Sequence, residues 1–127
     1  MPASILIIED NEMSFVLAEY LLRQAGYAVI GAADGDSGAR LGLENVADLI
    51  LCDLDLPGMS GYDVVRSLRA APSWRKVPLL AFTAGSTGDA QQDVLAVGFE
   101  GYISKPIDAR TFTTTIAGFL APDLRAS

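Results

Sequence analysis

Five short apolar runs divide the chain, and each is followed by a longer stretch with a different rhythm. Ser4–Ile8, Tyr27–Ala32, Asp48–Leu54, Val77–Thr83 and Gly101–Ser104 are compact and rich in Ile, Val and Leu, as buried strands are. Between them, apolar residues recur every three or four positions. Met13, Val16, Leu17, Tyr20 and Leu21 give this spacing over Glu12–Gln24, and Val64, Val65 and Leu68 give it over Gly61–Ala70. Asp36–Asn45, Thr87–Val97 and Asp108–Leu120 complete five helices, the first of these weakened by Gly38 and Gly42. Gly26 and Gly98 sit where C-terminal caps belong, and Pro72 and Pro122 end helices.

The strand runs are continuous rather than alternating, which suits strands covered on both faces. Strict strand–helix alternation predicts an α/β fold with right-handed crossovers: a doubly wound, five-stranded parallel sheet with five helices. No linker, repeat or low-complexity stretch interrupts it, so residues 1–127 read as one domain with its core in 5–120. In such open sheets ligands bind beyond the carboxyl ends of the strands.

The polar residues that break the pattern fall at those ends. The first strand runs into Glu9-Asp10, the third into Asp53, the fourth into Thr83 and the fifth nearly to Lys105. A parallel sheet gathers these on one edge. Three carboxylates in close quarters repel one another unless a cation joins them. A hard divalent ion, Mg²⁺ or Mn²⁺, matches an all-oxygen ligand set. The metal leaves Lys105 and Thr83 unexplained. A lysine and a hydroxyl facing a metal-bound carboxylate suit a visiting anion, such as a phosphoryl group on an aspartate. Transfer of that group depends on positioning and charge neutralisation, so it needs no histidine.

Composition removes other chemistries. The chain has no His, which excludes His-based zinc sites, Ser-His triads and His general bases. A net charge of −7 argues against direct contact with nucleic acid. Cys52 is a lone cysteine in an apolar run, read as an inert core residue; it excludes a disulfide framework and points to a cytoplasmic setting. No apolar run is long enough to span a membrane, and Met1-Pro2-Ala3-Ser4 lacks the basic start of a signal peptide. Phe112, Ile116 and Phe119 are read as core at helical spacing, with part of that helix surface and the preceding strand as a partner face; Trp74 is read as local packing.

Together Glu9-Asp10, Asp53, Thr83-Ala84 and Lys105-Pro106 resemble the receiver domain of response regulators in two-component signalling. DLDLPGMSGYDVVRSLR resembles that family's phosphoacceptor segment, and AFTA and GYISKPID resemble its switch segments. The resemblance runs from about Ile5 to Leu120 and implies a flavodoxin-like (βα)5 fold. It implies that Asp53 accepts the phosphoryl group. Asp10 would be the direct Mg²⁺ ligand, Glu9 its outer-sphere helper, and the Asp55 backbone carbonyl would complete the set. Lys105 would hold a phosphoryl oxygen, with a cis Lys105–Pro106 bond. Thr83 and Ala84 would form the phosphoryl-binding switch, and Tyr102 would follow Thr83 inward. The phosphodonor would be a histidine kinase or histidine phosphotransfer protein, and the signal would pass to a downstream protein target.

The acidic pair is Glu-Asp where Asp-Asp is commoner, a variant expected to keep metal binding. The acidic Asp55 leaves two effects open, repelling an attacking water or orienting one. The resemblance fits a stand-alone receiver or one from a hybrid protein, and a monomer or a phosphorylation-linked dimer. Two other classes fit less well. DLD matches the Asp-x-Asp of haloacid-dehalogenase-like phosphatases, but there it lies on the first strand. A flavodoxin-type electron carrier needs a phosphate cradle after the first strand, and EDNEM there would repel phosphate.

Overall fold

The computed structural model describes residues 3–44, 47–54, 56, 60–70, 77–83, 98–105 and 107–120, apart from the side chains of Leu43 and Thr83. Its strands are β1 (Ser4–Ile8), β2 (Ala28–Ala32), β3 (Leu49–Asp53), β4 (Leu79–Thr83) and β5 (Gly101–Ser104). Its helices are α1 (Glu12–Gln24), α2 (Gly35–Glu44), α3 (Gly61–Arg69) and α4 (Phe112–Phe119). The helix expected over Thr87–Val97 lies outside the described residues.

All four strand pairings are parallel, in the order β2-β1-β3-β4-β5. β1 and β3 lie in the centre and are almost wholly buried. Ser4 and Asp48 lock their starting register: Ser4 N–H donates to Asp48 Oδ2 at 2.8 Å, and Asp48 N–H donates to the Ser4 carbonyl at 2.8 Å. The order reverses between β1 and β3, which opens a crevice at their carboxyl ends.

Period-two alternation divides each strand between two cores. Ile5, Ile7, Leu49, Leu51, Leu80, Phe82 and Ile103 pack against Ala18 and Leu22 of α1 and Phe112 and Ile116 of α4. Leu6, Ile8, Ile50, Cys52, Leu79 and Ala81 pack against Val64, Val65 and Leu68 of α3, with Leu41 of α2 beside them. The doubly wound sheet expected from the alternation of elements is therefore observed, with α1 and α4 on one face and α2 and α3 on the other.

Helix ends follow local chemistry. Asn11, rather than Asp10, caps α1, accepting from Ser14 N–H at 2.9 Å. Gly26 closes α1 with φ at 102°, a conformation that favours glycine; Tyr27 N–H donates to the Leu22 carbonyl and Gly26 N–H to the Arg23 carbonyl, the paired bonds of a Schellman motif. α2 begins one residue before the expected Asp36 because Asp34 caps it, accepting from Ser37 N–H at 2.7 Å. The last helix begins later than the expected Asp108. The Asp108 carboxylate accepts from Arg110 N–H at 3.0 Å and holds the chain in a turn that competes with helix.

Candidate functional site

Each central strand releases its polar end into the crevice. Glu9 follows β1 directly and is buried, at 2 % exposure, although it is ionisable. Its Oε1 accepts from Asn11 N–H at 3.0 Å, so the capping residue of α1 also orients this carboxylate. Asp10 follows and is exposed. Asp53 is the last residue of β3 and is buried at 5 % exposure. Gly61 lets α3 start close to this strand end. A Cβ there would collide with the Asp53 carbonyl oxygen, and Gly61 N–H donates to the Leu54 carbonyl at 3.1 Å.

Lys105, one residue beyond β5, reaches back across β4 to these acids. Its Nζ lies 2.8 Å from Glu9 Oε2 as an ion pair and donates to Asp53 Oδ2 at 3.3 Å. The ammonium also lies 4.8 Å from the centroid of the Phe82 ring. Burial alone would push this ammonium down, but Glu9 and Asp53 outweigh it and the net direction is upward. Lys105 is therefore a fixed cation in the working range of pH. Beneath the acids, Cys52 Sγ donates to the Asp53 carbonyl at 3.3 Å. Burial, reinforced by the charges of Asp53 and Glu9, pushes its thiol far above the ordinary 9.0. That makes Cys52 an inert core residue rather than a nucleophile.

Carboxylate oxygens of Glu9, Asp10 and Asp53 all lie within 4.8 Å of one another. Ligands on a Mg²⁺ octahedron at about 2.1 Å stand roughly 3 to 4 Å apart, so this spread fits after small side-chain shifts. Glu9 Oε2 is buried, and its partner among the described residues is the Lys105 ammonium. Three carboxylates with one ammonium leave two negative charges uncompensated within the cluster. Donor type, spacing and charge therefore all suit one hard divalent cation.

The sequence-predicted residues divide into three groups. Glu9, Asp10, Asp53 and Lys105 are brought together. Thr83 ends β4, its backbone paired with Ser104, next to the strand that carries Asp53; its side chain lies outside the described residues, as do Asp55, Ala84 and Pro106. Tyr102 is half-buried on β5, two strands from Asp53, and packs against the core on the α3 side.

Two features escaped the sequence reading. Phe82 was given no role of its own there, within an apolar run and the AFTA stretch, yet it pairs in register with Asp53 and underlies Lys105. Met13, Val16, Leu17 and Tyr20 were taken only as evidence of a helix. They form an exposed apolar stripe on α1, at 84, 53, 39 and 58 % exposure. The stripe adjoins Glu12 and starts beside the acidic crevice.

The family model of the response regulator receiver domain matches residues 5–117, nearly the whole chain. The chain belongs to this family. Receiver domains are the phosphoryl-accepting switches of two-component signalling, generally classed as signalling modules rather than enzymes, and they bind Mg²⁺ at an acidic site. This receiver is 37 % identical over 120 residues to the polar-differentiation response regulator DivK of Brucella anthropi, covering 94 % of this chain and 98 % of that protein. Its fold matches the chemotaxis protein CheY4 of Vibrio cholerae with a TM-score of 0.90 at 28 % identity, covering 94 % of this chain and all of the other. It also matches the receiver domain of a sensor histidine kinase from Pseudomonas aeruginosa, with a TM-score of 0.86 at 31 % identity, covering 94 and 98 % of the two chains. That structure has a magnesium ion coordinated in its active-site cleft. No helix among the described residues is long and apolar enough to cross a membrane.

Proposed function

We propose that Asp53 accepts a phosphoryl group from a phosphohistidine of a sensor histidine kinase or histidine phosphotransfer protein, and that the modified chain meets a downstream protein through an altered face. The contact that supports this most is Lys105 spanning Glu9 Oε2 and Asp53 Oδ2 at the end of the central strand. A lysine held there neutralises charge on whatever group joins Asp53.

In the transfer an Asp53 carboxylate oxygen forms a bond to phosphorus while the donor's P–N bond breaks. The electron pair stays on the imidazole nitrogen, which then takes up a proton. Glu9, Asp10 and Asp53, with the Asp55 backbone carbonyl, would hold Mg²⁺ or Mn²⁺. The cation would neutralise oxygens of the phosphoryl group and of Asp53. Lys105 would take one phosphoryl oxygen, and the Thr83 hydroxyl and Ala84 would take another. Thr83 would move toward the phosphoryl group and Tyr102 would follow it inward. Slow loss of the phosphoryl group to water would reset the switch.

The donor's histidine must come within bonding distance of Asp53, so its docking surface must border the crevice. The exposed stripe of α1 meets that condition: it begins three residues after Asp10 and offers four apolar side chains at i, i+3, i+4 and i+7. A helical segment of the donor fits such a row. A cytoplasmic setting suits these partners and the lone reduced Cys52.

The test is incubation with acetyl phosphate and Mg²⁺, followed by intact mass. One phosphoryl mass gain in the wild type, absent in Asp53→Asn and abolished by EDTA, is expected. Equal gain in Asp53→Asn would overturn the assignment.

A further inference from the structure

Lys105 has a flexible four-carbon stem and three donors, so its direction must be imposed by its surroundings. Among the described residues three groups do so: Glu9 Oε2 at 2.8 Å, Asp53 Oδ2 at 3.3 Å and the ring of Phe82 at 4.8 Å. Both carboxylates belong to the candidate metal cluster, so their pull on the ammonium changes whenever their charge is shared. The ring does not titrate or ligate a metal, and so its attraction is constant. It is also rigidly placed. Phe82 is fully buried, its backbone is in register with Asp53 on one side and Ile103 on the other, and its side chain lies in the core with Leu51 and Ile103.

We propose that Phe82 is a positioning residue for Lys105, its ring face keeping the ammonium directed at Asp53 while the charge on the neighbouring carboxylates is neutralised. This rests on the reading of Asp53 as the phosphoryl acceptor. The attraction is that of a cation for the negative face of an aromatic quadrupole. An aliphatic residue at 82 fills the same core and lacks it.

The test replaces Phe82 by mono-, di- and trifluorophenylalanine, which nearly preserve shape while draining the ring face of charge. The second-order rate constant for phosphoryl uptake from acetyl phosphate with Mg²⁺ is followed by intact mass, in the wild-type background and in Lys105→Gln. A stepwise fall totalling about 2- to 5-fold is expected in the first background, with no trend in the second. A flat series in the wild-type background overturns the proposal. An equal fall in both backgrounds also overturns it, because the effect is then one of packing. Asp53→Asn is measured alongside. Uptake by that variant at the wild-type rate sinks the underlying acceptor assignment, whereas an inactive Asp53→Asn with a flat fluorine series sinks only the role of Phe82.

Discussion

Glu9 is the residue on which the crevice turns. A buried carboxylate is costly unless its charge is met, and here Asn11 N–H meets one oxygen and the Lys105 ammonium the other. Lys105→Ala removes the cation from a cluster of three acids. Two linked effects are expected. Without Mg²⁺ the variant loses about 2 kcal/mol of stability in a denaturant titration, because Glu9 and Asp53 are left to repel each other. Mg²⁺ binding measured by calorimetry then tightens by roughly 3- to 10-fold, because one competing positive charge is gone. Weaker Mg²⁺ binding in Lys105→Ala would contradict this account of the site. The sign of the pH effect follows from the raised Lys105 pKa. Its ion-pair contribution is fully present below the unfolded value of 10.5 and fades as pH rises through the higher folded value.

Among the secondary-structure elements, α1 shows most clearly that periodicity and burial are different questions. Its helical spacing is evident from Met13, Val16, Leu17 and Tyr20, yet the sheet takes the opposite side, with Ala18 and Leu22 fully buried and Phe15 and Leu21 packed beside them. Leu22→Ala is expected to cost about 2–5 kcal/mol by chemical denaturation. Met13→Ala should lie within about 0.5 kcal/mol of wild type. If the stripe receives the phosphodonor, Leu17→Lys slows transfer from that protein and leaves uptake from acetyl phosphate unchanged. α2 supplies a pH-dependent cap. Ser37 N–H, with further help from the Ser37 hydroxyl, holds the Asp34 carboxyl below its ordinary 3.8. A depressed carboxylate stabilises the fold above pH 3.8, and that contribution is lost as pH falls through the lower folded value. Asp34→Asn keeps a capping side chain without the charge, so its stability relative to wild type should improve as the pH is lowered toward 3. A difference that stays constant between pH 3 and pH 7 would show that the Asp34 charge is irrelevant.

For the molecule as a whole, cation binding at the cluster would be linked to folding, because the acids come from distant parts of the chain. Glu9 and Asp10 follow β1 and Asp53 ends β3, and they converge only when these strands pair in register. An unfolded chain offers no such cluster, so Mg²⁺ held there would favour the native state. At 100 times its dissociation constant the ion should add about 2.7 kcal/mol of stability, with the melting temperature rising as its concentration rises. Glu9→Gln combined with Asp10→Asn should remove most of that increment. An equal Mg²⁺ response in the double variant would place the bound cation elsewhere. The overall charge of −7 adds a diffuse attraction for cations, which monovalent salt screens and a specific site resists.

Much of this was legible in the chain because it is written in local chemistry. Continuous apolar runs specify strands buried on both faces. Spacings of three and four specify helices, and Gly26 marks the end of α1 by its conformational freedom. Parallel alternation alone implies that Glu9, Asp10, Asp53 and Lys105 gather at one edge, and they do. What local chemistry could not settle were choices between sides and partners. Residues on both sides of α1 are apolar, so only packing against the sheet selects which is covered. Asp108 reads equally well as the start of a helix and as a turn, and its bond to Arg110 N–H decides for the turn. The contact of Lys105 with the Phe82 ring joins β4 to the residue just after β5, 23 positions on in sequence, and depends on a register that no spacing along the chain encodes. Periodicity is a property of neighbours in sequence. Burial, pairing and charge compensation belong to neighbours in space, and only the assembled sheet creates those.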